Sequence, residues 1–397
     1  MMYARTVSAA LVAAFLCFGT AALAQKKGRD NTAIAEKLVT AGVPIKEGDL
    51  VLVSAGVDDA ELLEELSLSI AKRGGDPLLI FNPSSRISKR AVTEVPAKYD
   101  SRTPQVGIAL ATMADVAINV ETDSSPPASL TDLPQDRLAA RAKAGRIVGD
   151  LFTARSVAQL ALGNGMYPGP NNAARYGMSQ AELAQVFWAA VGVDQAKLAA
   201  THKGLMAALA GGKEIEITHP NGTNLKMKIE GRKVLDSDGS ISAEERAAGG
   251  AAALVWLPAG EVYVTPVPGT AQGTIVDDRL VGGAQGKDIT GLTIKISEGK
   301  VVSMSAKSPM EWLQKAYDAD APGKEILGAI DFGTNPELKS AKKLESYVAA
   351  GTMTYFFGNN VWAGGDNNTP SAFAGHLQGC TVKVDGKVVV ENGALKL

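Results

Sequence analysis

Two patterns of apolar and polar positions follow one another along this chain. In the first half, apolar residues at helical spacing alternate with short continuous apolar runs. Asn31 to Gly42 places Ile34, Leu38 and Val39 on one helical face. Gly48-Asp49 then leads into Leu50-Val51-Leu52-Val53, which reads as a buried strand. Asp58 to Arg73 reads as a helix whose acidic start suits its dipole, closed by Gly74-Gly75, and Pro77 to Phe81 is the next buried strand. Strand, helix and strand at this spacing make a βαβ unit and so predict a parallel sheet covered on both faces. Val106 to Leu110 and Val116 to Val120 continue the alternation, and Leu138 to Leu162 is helical in composition.

Gly163 to Ala173 reads as a loop. Ser179 with Glu182 three residues later fits a capping box and starts a helix through Val191, and Asp194 caps another to about Leu209. Beyond Gly211-Gly212 the pattern changes to strands and turns. Lys213 to Thr218, Asn224 to Ile229, Glu261 to Thr265, Thr290 to Ile296, Lys300 to Ala306 and Thr381 to Val390 are strand candidates. Helices are predicted over Pro309 to Tyr317 and about Lys339 to Ala350. The expected architecture is an N-terminal Rossmann-like α/β domain, residues 25–211, followed by a C-terminal α+β domain, residues 212–397, built on a strongly bent sheet.

Residues 1–24 stand apart from this pattern. Arg5, the apolar run Val7 to Phe18 and the small-residue site Ala22-Leu23-Ala24 read as a secretory signal peptide. The mature chain is therefore expected in the periplasm or outside the cell, with no membrane association after cleavage. The net charge of −2 becomes −3 once Arg5 is removed, with both signs interspersed, so nothing points to nucleic acid as a partner. Cys380 is the one cysteine left after cleavage, which excludes an intrachain disulfide, and it reads as a small buried hydrophobe.

Candidate chemistry is sparse. No glycine-rich phosphate loop follows a predicted strand, so no nucleotide cofactor is expected. Asp236-Ser237-Asp238-Gly239 with Glu245 fails as a calcium loop because its first position would be Val234. Three histidines are spread through the chain without zinc-ligand spacing. His202 is expected at a surface or between domains, His219 in a structural turn, and His376 after the Gly- and Asn-rich loop Gly364 to Gly375. Any metal would rest mostly on carboxylates. The most suggestive of these is Glu261, held in Leu257–Pro266 (LPAGEVYVTP) between a Pro-Ala-Gly turn and a β-favouring run.

LPAGEVYVTP resembles the segment around the first metal-binding glutamate of the aminopeptidase T and aminopeptidase S family of metallo-exopeptidases. The resemblance extends to KEGDLVLV, to GMYPGPNNAARYGMSQAELAQVFWAAVGVD, to ITHPNGTNLKMKIEGR, to EGKVVSMSA and to TVKVDGKVVVENG. It implies a homodimer, small peptides as substrates, and a pair of divalent metals (zinc, cobalt or manganese) that polarise the scissile carbonyl and activate a water. Carried over residue by residue, it matches Glu261 to the first glutamate. The second glutamate falls on Ala329, the first histidine on Thr354, and the later histidine and aspartate on Ala372 and Ala374, while a family tyrosine is replaced near Val361. Four of the five expected ligands are thus absent. Two readings follow. In one, Asp331 and His376, each two residues past an expected ligand, rebuild the site, although a two-residue step displaces a strand side chain by roughly 6–7 Å. In the other, the metal site is lost and the cleft binds a peptide or amino-acid-like ligand. Asn359, Asn360, Trp362, Asp366 and Asn367 would then line a polar pocket with one aromatic wall.

Overall fold

Leu50–Ala55 (β1) is a run of branched and small apolar residues, and it is buried because strands flank it on both sides. Asp76–Phe81 (β2) and Val116–Val120 (β3) pair with it in parallel. Ala158–Leu162 (β4) then pairs in parallel with β3. The helix Ala60–Ala71 buries Leu62, Leu63, Leu66 and Ile70, a stripe at helical spacing that covers this sheet. The computed structural model describes residues 29–82, 85–122, 133–282, 287–318, 322–339, 343–369 and 372–396. The expected signal peptide lies outside the described residues. No helix among those described is long and apolar enough to cross a membrane.

Glu214–Thr218 (β5), Asn224–Lys228 (β6) and Val234–Ser237 (β7) begin the second half. The chain then returns to the parallel sheet with Leu254–Leu257 (β8), whose neighbour is β4. Three residues later it leaves again as Glu261–Val264 (β9). The second half thus lends one strand to the parallel sheet. The remaining strands are Gln272–Leu280 (β10), Ile289–Ser297 (β11), Lys300–Ser305 (β12), Leu327–Gly333 (β13), Thr352–Gly358 (β14), Ala372–Gln378 (β15), Thr381–Val384 (β16), Lys387–Glu391 (β17) and Ala394–Leu395 (β18). They form two antiparallel sheets, ordered β12-β11-β10-β6-β5-β16-β17-β18 and β15-β14-β13-β9-β7. One apolar core lies against the parallel sheet and a second unites the two antiparallel sheets.

The mixed α/β architecture agrees with the pattern in the sequence, but several elements differ. The C-terminal half holds two sheets where one bent sheet was expected. β2 is the edge of its sheet and holds only exposed and half-buried residues, so it is not a buried strand. Val106 to Leu110 lies inside the helix Gln105–Met113. The long helix spans Gln135–Ala154 and ends before β4, because Arg155 and Ser156 turn the chain into the sheet. Helix Pro170–Tyr176 begins within the expected loop, its proline standing at the first helical position. Of Lys339 to Ala350, residues 343–350 form a strap of turns and bridges, because its backbone is drawn across the five-stranded antiparallel sheet. Both predicted caps are formed: Ser179 and Glu182 close a reciprocal capping box, and the Asp194 side chain accepts from the Lys197 N–H.

Candidate functional site

The face of the five-stranded antiparallel sheet gathers the polar candidates. Leu235, Tyr263, Asp331, Thr354 and His376 are paired across five neighbouring strands, β7, β9, β13, β14 and β15. Directly paired residues project to the same side, so these five side chains share one face. A two-residue step along β9 adds Glu261, opposite Ser237 and Gly333. A two-residue step the other way along β13 adds Ala329, which pairs with Phe356 and through it with Ala374. Asp331 and Thr354 are fully buried, whereas Glu261, His376, Tyr263 and Phe356 each keep some solvent-accessible surface.

Two glycines shape the rim. A Cβ on Gly333 would lie 2.2 Å from the Ala349 carbonyl oxygen and 2.4 Å from that of Tyr347, so its absence lets the 343–350 strap cross the sheet at contact. The strap brings Tyr347 over His376, ring centroids 6.4 Å apart and stacked. The Tyr347 hydroxyl donates to Asn164 Oδ1, and Asn164 Nδ2 donates to the Pro258 carbonyl at 2.9 Å. Gly260 has a φ of 129° and packs against the backbone of Asn335, whose side-chain amide donates to the Ala259 and Ala190 carbonyls. Glu261 therefore stands where the carboxyl ends of β4 and β8 meet the antiparallel sheet. Open α/β sheets bind ligands outside the carboxyl ends of their strands.

The electrostatics are unusual. Both oxygens of Asp331 are buried without a well-formed hydrogen bond, the Phe332 N–H being the one backbone donor that acts on them. The neighbouring group is the Glu261 carboxyl, and two ionised carboxylates are both acceptors; only a shared proton makes their contact a hydrogen bond. Burial above all, opposed by the Asp331 contact and aided by the charge of Asp236, pushes Glu261 up to about 7. Burial and then the charge of Glu261 drive Asp331 well above the usual carboxylate range. Glu261 keeps some accessible surface yet is sunk among protein atoms. Burial also lowers His376 to about 4, so its imidazole is neutral near pH 7. Thr354 Oγ1 and His376 Nδ1 are 2.9 Å apart. Trp362 spans β13 from above, with ring centroids 5.1 Å from Tyr263 and 4.9 Å from Phe356.

His202 is not at a surface. It is buried, with Nδ1 2.8 Å from Asp236 Oδ2 and Nε2 2.7 Å from Thr334 Oγ1. Asp236 fixes the proton on Nδ1, so Nε2 accepts from the Thr334 hydroxyl. This chain ties the helix Gln195–Ala210 to the turn after β13, where the Thr334 N–H donates to the Gly260 carbonyl. Of the expected pocket, Asn360 and Asn367 spend their side chains on the loop itself. Asn360 Nδ2 donates to the Gly328 carbonyl, its Oδ1 accepts from the Asn367 N–H, and Asn367 Nδ2 donates to the Gly323 and Gly358 carbonyls. Asn359 donates to the Thr369 carbonyl, and Asp366 is exposed. Trp362 alone of this group touches aromatic residues of the sheet face. Tyr263 joins the site from within LPAGEVYVTP, and Asn164 and Tyr347 join it although nothing in their local sequence marks them.

Residues 29–341 match the family described as thermophilic metalloprotease (M29). The chain belongs to the M29 family. Wild-type AmpT from Thermus thermophilus has the same fold, with a TM-score of 0.71 at 16% identity, covering 92% of this chain and 99% of that one. The 2,5-dihydroxypyridine dioxygenase of Pseudomonas putida KT2440 superposes with a TM-score of 0.59 at 14% identity, over 92% and 96%. No curated protein matches in sequence. Although M29 is a metalloprotease family, the residues present here do not fit a metal pair. Ala329 and Ala374 share the face of Glu261 but carry no donor atom. Asp331 and His376 are separated by the strand bearing Thr354, two interstrand steps or roughly 9–10 Å. Among the described residues, no three histidine, cysteine, aspartate or glutamate side chains are placed to hold a metal ion.

Proposed function

We propose that this M29 member is an exported protein whose cleft binds small peptides or amino-acid-like ligands without two-metal hydrolysis. The observation that carries this reading is Glu261 beside the buried Asp331, with Ala329, Thr354 and Ala374 standing where metal donors would be needed. Family membership supports a peptide as the ligand class, and the carboxyl pair supplies an anionic anchor in a recessed place. The signal-like segment at residues 1–24 supports export to the periplasm or beyond, and the family resemblance supports a homodimer.

Family membership also favours a competing reading: a peptidase that removes N-terminal residues with one divalent metal on Glu261 and Asp331, His376 being recruited by movement of its strand. Metal analysis of the purified mature chain, combined with an assay for release of N-terminal residues under added zinc, cobalt or manganese, separates the two. The binding reading expects less than about a tenth of an equivalent of metal and no release. Stoichiometric metal that disappears in Glu261→Ala, accompanied by peptide cleavage, would overturn it.

A further inference from the structure

A strand at the end of a sheet presents a row of unpaired N–H and carbonyl groups, which proteins blunt with charges, bulges, proline or cover. β2 ends the parallel sheet, and among the described residues no strand lies beyond it. The Asp76 and Asn82 N–H groups donate to the Asp49 and Ala55 carbonyls, each at 2.8 Å. Backbone direction alternates along a strand, so Leu78 and Ile80 also turn to β1, while Pro77, Leu79 and Phe81 turn their polar groups to the free edge. The side chains there are apolar: Leu78, Leu79 and Phe81 are 43%, 38% and 60% exposed. Asp76, at the start of the strand, is its one charged residue. The one blunting device along this edge is Pro77, which offers no donor.

β2 is complementary to itself. Turned antiparallel about an axis at Leu79, two copies exchange both bonds of the Leu79 pair, and each Phe81 N–H meets the other copy's Pro77 carbonyl. The donor that Pro77 lacks is then missing only at the end of the ladder. Cross-strand neighbours are Leu79 on Leu79 and Phe81 on Pro77 on one face, and Leu78 on Ile80 on the other. Asp76 falls opposite Asn82, so no like charges meet. Helix Ala60–Ala71 supplies an independent match. It packs on β2 and runs back along it, so the same axis sets its acidic start beside the other copy's basic end. Glu64, Leu68 and Lys72 are exposed at four-residue spacing, which opposes Glu64 to Lys72 with Leu68 between them.

We propose that β2 is an interface for a second copy of this chain, the two parallel sheets joining edge to edge into one continuous sheet. This edge is the end of the parallel sheet opposite β8, so the contact is independent of what the cleft binds.

Crosslinking and sedimentation of the mature chain test this. Cys380 is buried, so the parent should give little product with a short bis-maleimide. Leu79→Cys places two thiols opposite each other across the axis and should be converted mostly into crosslinked pairs. Val302→Cys, at an exposed site on β12, should stay single under the same conditions. In sedimentation velocity Leu79→Lys should weaken self-association at least about tenfold, halving the mass seen for the parent. Phe81→Lys, at the more exposed position, gives the same reading should the Leu79 variant melt early. Glu64→Lys should weaken association, and adding Lys72→Glu to it should restore much of the loss. A parent that stays monomeric at about 100 μM overturns the proposal, including the case in which another protein's strand fills the edge. Association that persists unchanged in both lysine variants overturns it and leaves copies meeting elsewhere. A Leu79→Cys product no greater than that of Val302→Cys also overturns it. None of these outcomes bears on the reading of the cleft.

Discussion

Placing Glu261 against Asp331 makes the stability of the unliganded protein depend on pH. Glu261 is raised from an ordinary value of 4.5 to about 7, so the folded state holds its proton more tightly than the unfolded chain does. The associated stability is fully present below the ordinary value and is lost as pH rises through about 7. Asp277, raised to about 6 mainly by burial, and Glu345, raised to about 7 mainly by burial, have the same sign. His376 opposes them, because an imidazole lowered to about 4 loses stability as pH falls from its ordinary 6.5. The melting temperature is therefore expected to decline between about pH 5 and about pH 8 less steeply in Glu261→Gln than in the parent. Parallel curves for the two proteins would contradict the buried pair. His202 offers a second check at this scale. His202→Ala leaves Asp236 and the buried Thr334 hydroxyl without their partner and should cost about 2–4 kcal/mol in urea denaturation.

Among the elements, the strap at residues 343–350 governs how the cleft is closed. It is held by bonds to the turn after β13, the Asn335 N–H donating to Val348 and the Ala350 N–H to Asn335, and by Tyr347 reaching Asn164 beyond β4. Gly333 is the position that permits its approach. Gly333→Ala would push a methyl group into two strap carbonyls, and neither is the end of a flexible side chain. Loss of about 2 kcal/mol or more is expected, with faster amide exchange in residues 343–350 than in β13. Unchanged exchange in the strap would show that it is seated by something other than this contact. The bond from Thr334 to Gly260 sets the angle at which β9 leaves the parallel sheet, and so where Glu261 points.

For the whole molecule, the relevant contrast is with a metalloprotein. A ligand that binds only the folded state at a hundred times its dissociation constant adds about 2.7 kcal/mol of stability. A metal pair held by five ligands would therefore raise the melting temperature clearly, and a chelator would lower it. The donor set here predicts no such response: melting should be the same with chelator, zinc, cobalt or manganese, while a bound peptide raises it. A chelator-sensitive melting curve would point back to a metal on Glu261. Sedimentation of the mature chain checks the proposed homodimer separately, since neither ligand nor metal enters that measurement.

Local signals in the sequence determined a good deal. The capping box at Ser179, the Asp194 cap, the β1-to-β3 alternation, Glu261 at the mouth of a turn, and the motifs that place the chain in its family are all matters of residues a few positions apart. Several strands were missed, and for two of them the reason is the absence of alternation: β13 is buried at all seven positions and β14 at six, and fully buried strands show no two-residue period. Register was likewise invisible. That Asp331 faces Glu261, while His376 sits beyond Thr354, follows from hydrogen-bond pairing between strands 22 to 70 residues apart. Trp362 appeared as one wall of an asparagine-rich pocket, and only its packing across β13 put it beside the carboxyls. Sequence decides which side chains are available and which short elements they favour. Tertiary structure alone decided that two acids are buried together, because burial and proximity belong to the assembled sheets and to no segment by itself.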